Sequence, residues 1–256
     1  GPDDSGLFTD RNLGLGHRRL SILDVSSAGH QPFASEDQRY ILVFNGEIYN
    51  FTDFYPELKN NGFSIKTHSD TEVLLKLYQL HGLKMLSKLN GMFAFAIWDK
   101  IERTLTVVRD RMGVKPLYYS WYEGSFYFAS EQKALFAAGV PLRISQPGIE
   151  EYIFNRFVAG AQTLFENVQK LLPGHSMVIS ENGQIKTEQW WNLKREIQQQ
   201  TTISQPVEWF RETFDSSIRL RMVSDVPVGV LLSAGLDSSS ILASMHHQKY
   251  ADIQTY

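Results

Sequence analysis

The sequence predicts a layered α+β domain followed by the opening of a second, α/β unit built on a parallel sheet. Three observations predict it. Short strands that are apolar on both faces recur through the first half, Met92 to Trp98 above all, and they flank an amphipathic helix at about 71–89. A polar stretch at 195–204 then interrupts the pattern. Beyond it come an apolar strand, a loop of small residues and a helix, the start of a βαβ unit.

Taken in order, Tyr40-Ile41-Leu42-Val43-Phe44 is a strand candidate closed by the turn-prone pair Asn45-Gly46. The helix from about Thr71 to Leu89 carries Leu74, Leu75, Tyr78, Leu86 and Leu89 as its buried stripe, and Gly82 is placed to kink or divide it. Met92 to Trp98 is apolar at every position, so the strand is covered on both sides. Thr104 to Val108 and Ser125 to Phe128 are further strands joined by tight turns. Several such strands in succession imply stacked sheets with helices outside. A second helical piece is expected at Ser145 to Phe157, a turn at Pro173-Gly174 and a hairpin at Asn182-Gly183, with Trp190-Trp191 closing the compact region.

Arg195 to Ser204 is the expected linker, since Gln198-Gln199-Gln200-Thr201-Thr202 shows no apolar pattern. This divides the chain into domains of residues 1–195 and 205–256, with the boundary near 200. In the second, a helix after Pro206 presents Val207, Phe210, Phe214 and Ile218 at helical spacing. Val228 to Leu232 is an apolar strand, Ser233 to Ser239 a loop, and Ile241, Leu242 and Met245 continue as a helix before a strand starts at Ile253. No internal repeat is visible.

Composition sets the bounds. The chain has 256 residues, 43% of them hydrophobic and 12% aromatic, enough for a substantial core. With 25 basic against 28 acidic residues and a net charge of −3, it lacks the basic excess of a nucleic-acid binder. No apolar run reaches the roughly 18 residues of a membrane span, and no signal peptide is expected at the start; the cytoplasm is the expected compartment. The absence of cysteine excludes disulfides, thiolate metal sites and a sulfur nucleophile within these residues. Gly1-Pro2-Asp3-Asp4 has the character of a loop interior and Ile253 to Tyr256 that of a strand cut short, so both ends are expected to be breaks in a longer protein.

The loop Ser233 to Ser239, between a buried strand and a helix start, presents backbone N–H groups, small residues and the hydroxyls of Ser238 and Ser239 to an anion. Asp237 could hold a metal that bridges to phosphates. The Gly-Lys-Ser/Thr ending of a Walker loop is absent, and an ordinary helix cap accounts for the same residues. The fifteen residues from Asp225 to Ser239 closely resemble the ATP-pyrophosphatase loop of asparagine synthetases, whose pattern reads Ser-Gly-Gly-Leu-Asp-Ser-Ser. Ala234 stands where that pattern has glycine, and its methyl would crowd or strain the loop if the position needs positive φ. The resemblance implies ATP binding through Leu231, Ser233, Ala234, Gly235, Asp237, Ser238 and Ser239, with Mg²⁺ at Asp237.

The first domain is similar to class II glutamine amidotransferases in six blocks. They are Gly1 to Gly6, Gly16 to Ile22, Asn45 to Asn50, Ser69 to Glu72, Gly91 to Ala96 and Arg109 to Tyr119. This implies an α+β sandwich of αββα layers of the N-terminal-nucleophile type. Release of ammonia from glutamine passes through an oxyanion that needs preorganised donors, and the resemblance assigns these to the Asn45 side chain and the Gly46 N–H. A hairpin turn is the structural alternative for that pair. Arg19 has the fork geometry for the substrate carboxylate, within the substrate-binding stretch that continues through Leu20, Ser21 and Ile22. Glu47 and Asp70 are the implied partners near the amino group and substrate backbone, although Ser69 and Glu72 also form a capping box around Asp70. The nucleophile of that family is an N-terminal cysteine, which these residues lack; neither Gly1 nor Ser5 replaces it.

The resemblance implies glutamine-dependent asparagine synthesis from glutamine, aspartate and ATP, without nucleic acid or membrane, and leaves room for a homodimer. The alternatives are another amide- or lactam-forming synthetase of this two-domain plan and a non-catalytic regulatory homologue, for which Ala234 is the one hint.

Overall fold

A computed structural model describes residues 1–200 and 202–256; Thr201, within the expected linker, lies outside them. The first unit opens with the hairpin β1 (Asp4–Asp10) and β2 (Leu13–Arg19), then β3 (Phe33–Ala34) and β4 (Tyr40–Ile48). The helices α1 (Tyr55–Asn60) and α2 (Asp70–His81) follow, then β5 (Gly91–Asp99), β6 (Thr104–Arg109), β7 (Tyr118–Tyr122) and β8 (Ser125–Ala129). Next come α3 (Gln132–Ala137), α4 (Gln146–Asn155), β9 (Gln169–Lys170), β10 (His175–Ser180), β11 (Ile185–Gln189) and α5 (Leu193–Gln199).

The central sheet has six antiparallel strands in the order β11-β10-β6-β5-β4-β3. Because side chains alternate along a strand, each central strand serves two cores. Leu42, Phe44, Phe93, Phe95 and Ile97 point to one side, where Leu74, Leu75, Leu77 and Met85 from α2 and the 3₁₀ turn after it cover them. Truncating a ring as buried as Phe95 costs about 3–5 kcal/mol. Ile41, Val43, Ala94, Ala96 and Trp98 point to the other side, against Leu15 of β2, Leu117, and Phe126 and Phe128 of β8. That second β layer comprises the β1-β2 hairpin and the sheet β8-β7-β9. Leu135 of α3, with Val140 and Val168, packs on its outer side. The layers run α-β-β-α, as expected.

Three local expectations change. Asn45-Gly46 does not turn the chain, because β4 continues through both residues to Ile48, paired with β5 as far as Gly91. As expected, the helix at 71–89 divides at Gly82, whose φ of +56° ends α2 before the 3₁₀ segment Gly82–Ser87. Ser69 caps α2 by accepting from the Thr71 N–H, but Glu72 does not complete a capping box. Its carboxylate instead accepts from the amides of Lys66 and Thr67 and pairs with Lys76 one turn on. The expected linker also contains structure: Asn192 caps the short exposed helix α5 through the Arg195 N–H.

The second unit comprises α6 (Pro206–Arg221), β12 (Gly229–Val230), α7 (Leu236–His247) and β13 (Gln254–Thr255). β12 and β13 are parallel, and the Leu232 and Tyr256 amides extend the ladder by bonding to Tyr256 and Val230 carbonyls. Of the stripe expected on α6, Phe214 and Ile218 pack on Val230 and Met245, whereas Val207 and Phe210 are exposed. No helix among the described residues is long and apolar enough to cross a membrane.

Candidate functional site: a cleft between the two sheets

The register of β3 creates the cleft. β3 covers β4 only at Leu42 and Ile41, so the outer edge of β4 is open from Val43 onward. At Phe44 that edge is closed by side chains: the N–H donates to Gln31 Oε1 at 2.6 Å, and the C=O accepts from His17 Nε2 at 3.0 Å. Burial lowers the His17 pKa, so the ring is held neutral, with its proton on Nε2. Two residues further each way the alternation repeats. The Ile48 N–H leaves the same edge and donates to Asp70 Oδ2 at 2.9 Å. The N–H of Gly46 lies between them on that edge, and no side chain of the described residues accepts it. Gly46 also has to be glycine, since a Cβ there would stand 2.1 Å from the Met92 carbonyl oxygen.

Asn45 shares the inward face of Val43 and Ile41, so its amide enters the space between the sheets, where Nδ2 donates to Ser130 Oγ at 3.2 Å. A cavity of about 650 Å³ occupies this space. Ala94 and Ala96 form part of its floor, Leu117 and Phe128 close one side, and Gly16 and His17 of β2 the other. Two donors, the Asn45 amide and the Gly46 N–H, thus sit side by side at its wall.

The charged groups lie at the same end. Asp70 is the first residue of α2 and is buried; loss of solvation pushes its carboxyl up to about 7, against the bond from Ile48 and with added repulsion from Glu47. Burial also raises Glu47, with Lys115 and Arg221 pulling the other way. Arg19 is buried at the end of β2, but its fork is turned onto backbone. Nη1 donates to Ser26 O at 3.0 Å, and Nη2 to Leu23 O at 2.9 Å and Asp24 O at 2.6 Å. Three of its five N–H groups are therefore committed to one turn. Leu20 and Ile22 line the cavity mouth, whereas Ser21 does not, its N–H being donated to Asp3 Oδ2 at 2.8 Å. The structure thus brings Asn45, Gly46, Glu47, Asp70, Arg19, Leu20 and Ile22 to one cleft and leaves Ser21 outside it. It adds His17 and Lys115, which fall inside the matching blocks, and Gln31 and Ser130, which carry no recognisable signal in the sequence.

A family model for the glutamine amidotransferase domain matches residues 1–191. The chain belongs to that family. A second model, for asparagine synthase, matches residues 209–256. The glutamine-hydrolysing asparagine synthetase 1 of Bacillus subtilis is 41% identical over 95% of this chain and 38% of its own length. An amidase of Gibberella zeae, chry2, is 34% identical over 96% of this chain and 37% of its own. The chain thus spans about 40% of the length of such relatives. Among solved structures, the glutamine phosphoribosylpyrophosphate amidotransferase of B. subtilis superposes with a TM-score of 0.51 at 21% identity, covering 95% of this chain and 50% of that one. The amidotransferase fold is therefore shared.

In the asparagine synthase part, Gly235 precedes α7 and offers no capping side chain, so no side chain caps the first amides of this 12-residue helix. Ser238 Oγ accepts from the Ser233 N–H at 3.2 Å and lies 3.2 Å from Ser233 Oγ, which folds the loop around that opening. The condition on Ala234 is met: its φ is +58°, the left-handed region where glycine is at ease and alanine is strained. The loop thus has the donors for a polyphosphate. Asp237 stands in the first turn of α7, and no cluster of three metal-binding side chains occurs among the described residues. A single carboxylate suits a magnesium ion that takes its remaining ligands from phosphates and water.

Proposed function

We propose that this chain is the glutamine-handling part and the opening of the ATP-binding part of a glutamine-dependent asparagine synthetase, divided as residues 1–195 and 205–256. The observation that carries the reading is the pairing, at one cleft, of adjacent donors on Asn45 and Gly46 with the carboxylates Asp70 and Glu47. The donors suit the oxyanion formed when a carboxamide is attacked. The carboxylates suit the ammonium of a free amino acid, with the remaining donors of Arg19 for its carboxylate. Together they describe a pocket for glutamine. In the full-length enzyme a cysteine would form the thioester, releasing ammonia. In the second domain ATP and Mg²⁺, bound through Leu231, Ser233, Ala234, Gly235, Asp237, Ser238 and Ser239, would convert aspartate to its adenylate. Pyrophosphate would leave in that step, and ammonia would then displace AMP to give asparagine, in the cytoplasm. A second reading, amide formation on another acceptor, is favoured by the likeness to the amidase chry2.

The chain itself tests the pocket. With no cysteine, it should bind L-glutamine in calorimetry, bind L-glutamate less well, and release no glutamate above blank. Absence of glutamine binding, or glutamate release that survives purification to homogeneity, would refute the assignment.

A further inference from the structure

The turn that receives Arg19 is tied from both sides. Its carbonyls at Leu23, Asp24 and Ser26 take the guanidinium. The Asp24 carboxylate accepts from the His68 N–H at 3.1 Å, immediately before the Ser69 cap and Asp70. Its other oxygen accepts from the Ser26 N–H at 3.2 Å and from the Ser26 hydroxyl. Burial would raise this carboxyl, yet those bonds hold it below its ordinary value, so it stays ionised as an acceptor. Asp24 thus joins the segment holding Arg19 to the segment holding Asp70.

Asp24 also has φ of +52°, a left-handed conformation that aspartate tolerates better than most residues and that its contacts hold here. Part of that hold comes from the second unit. The Asp24 N–H donates to Asp225 Oδ2 at 2.7 Å, and the Asp225 N–H donates to the Ile22 carbonyl at 3.0 Å. One residue therefore grips the turn at two points two residues apart. Asp225 in turn lies just before β12 and the loop of Ser233 to Ser239, and Arg221, four residues earlier, lies 4.9 Å over the Tyr49 ring.

We propose that Asp225 is a positioning residue for the glutamine pocket: by holding the Ile22–Asp24 turn it sets the carbonyl cradle of Arg19 and the start of the helix bearing Asp70. The second unit thereby completes the pocket without touching the ligand. This rests on the glutamine assignment above.

The test is calorimetric titration of the chain with L-glutamine, together with amide hydrogen exchange at Asp24. Asp225→Ala should weaken glutamine binding about 10-fold, within the range of couplings carried through a packed network, and should speed exchange of the Asp24 amide. Asp225→Asn keeps an oxygen acceptor and should restore both to near the natural values, which a loss of general stability would not do. Should Asp225→Ala fail to fold, Asp225→Glu displaces the acceptor by one methylene and should shift both readings in the same direction. Natural affinity in a folded Ala or Glu variant, or an Asn variant as weak as Ala, overturns the proposal. If the natural chain does not bind glutamine, the pocket assignment falls; unchanged Asp24 exchange in Asp225→Ala would then sink the bracket separately.

Discussion

Asp70 offers the sharpest test of the cleft, because its protonation and its proposed ligand compete. Burial pushes the carboxyl up to about 7 in the empty site. An ammonium bound beside it requires the ionised form, so apparent affinity scales with the ionised fraction. That fraction is about 9% at pH 6 and about 76% at pH 7.5, from the ordinary titration of a group near 7. L-glutamine should therefore bind about eightfold more tightly at pH 7.5 than at pH 6. Binding at pH 6 should also release a proton, visible as a dependence of calorimetric heat on the buffer. Asp70→Asn keeps an oxygen for the Ile48 N–H but carries no charge. It should flatten the profile and weaken binding at pH 7.5 by roughly 30-fold or more, the loss of about 2 kcal/mol expected when one partner of a buried charge pair is removed. The empty protein gives an independent check with a definite sign. An acid whose value is raised on folding contributes stability that is complete below about 3.8 and lost as pH rises through about 7. Urea midpoints of the natural chain should carry that decline, and those of Asp70→Asn should not. A pH-independent glutamine affinity, or the same slope in both proteins, would refute the reasoning.

Two further outcomes follow from geometry. If the proposed function holds, Asn45→Ala in the full-length protein removes one of the adjacent donors and should lower glutamine turnover ~100-fold or more, while synthesis from free ammonia is spared; an equal fall in both would make Asn45 purely structural. Ala234→Gly should raise stability by about 0.5–1 kcal/mol, left-handed strain of about 1–2 kcal/mol being relieved against an entropic cost of about 0.4–1 kcal/mol, with little change in ATP affinity. A lower melting temperature would show that the loop does not hold φ of +58°.

The strands read most directly from the sequence are β4, β5 and β6, where both faces are largely buried and a continuous apolar run leaves few other structures open. β2 escaped because Leu13-Gly14-Leu15-Gly16-His17-Arg18-Arg19 has a weak apolar face and only Leu15 and Arg19 are buried. The Asn45-Gly46 pair misleads as structure: its local preference for a turn yields to nine paired residues of β4 against β5. Nothing in the sequence shows that β3 stops short, which frees the Gly46 N–H, nor that Gln31 and Asp70 take the amides on either side of it. Those features depend on register and on contacts between distant segments. Glu72 illustrates the same limit, its capping-box spacing outbid by Lys76, Thr67 and Lys66.

Ala94 and Ala96 set the floor of the cleft. Their strand presents Phe93, Phe95 and Ile97 to the helices and only two methyl groups to the cleft. The volume open to a ligand is therefore governed by the smallest side chains a strand can carry without loosening. Enlarging the pocket at these positions would require glycine, at a cost of roughly 0.5–1 kcal/mol each in strand stability. Shrinking it takes a single change to valine, a residue at home in a strand. Random substitution is thus biased in one direction. Drift at this floor closes the pocket far more readily than it widens it, and a descendant that lost its ligand this way would keep the same fold with a solid interior.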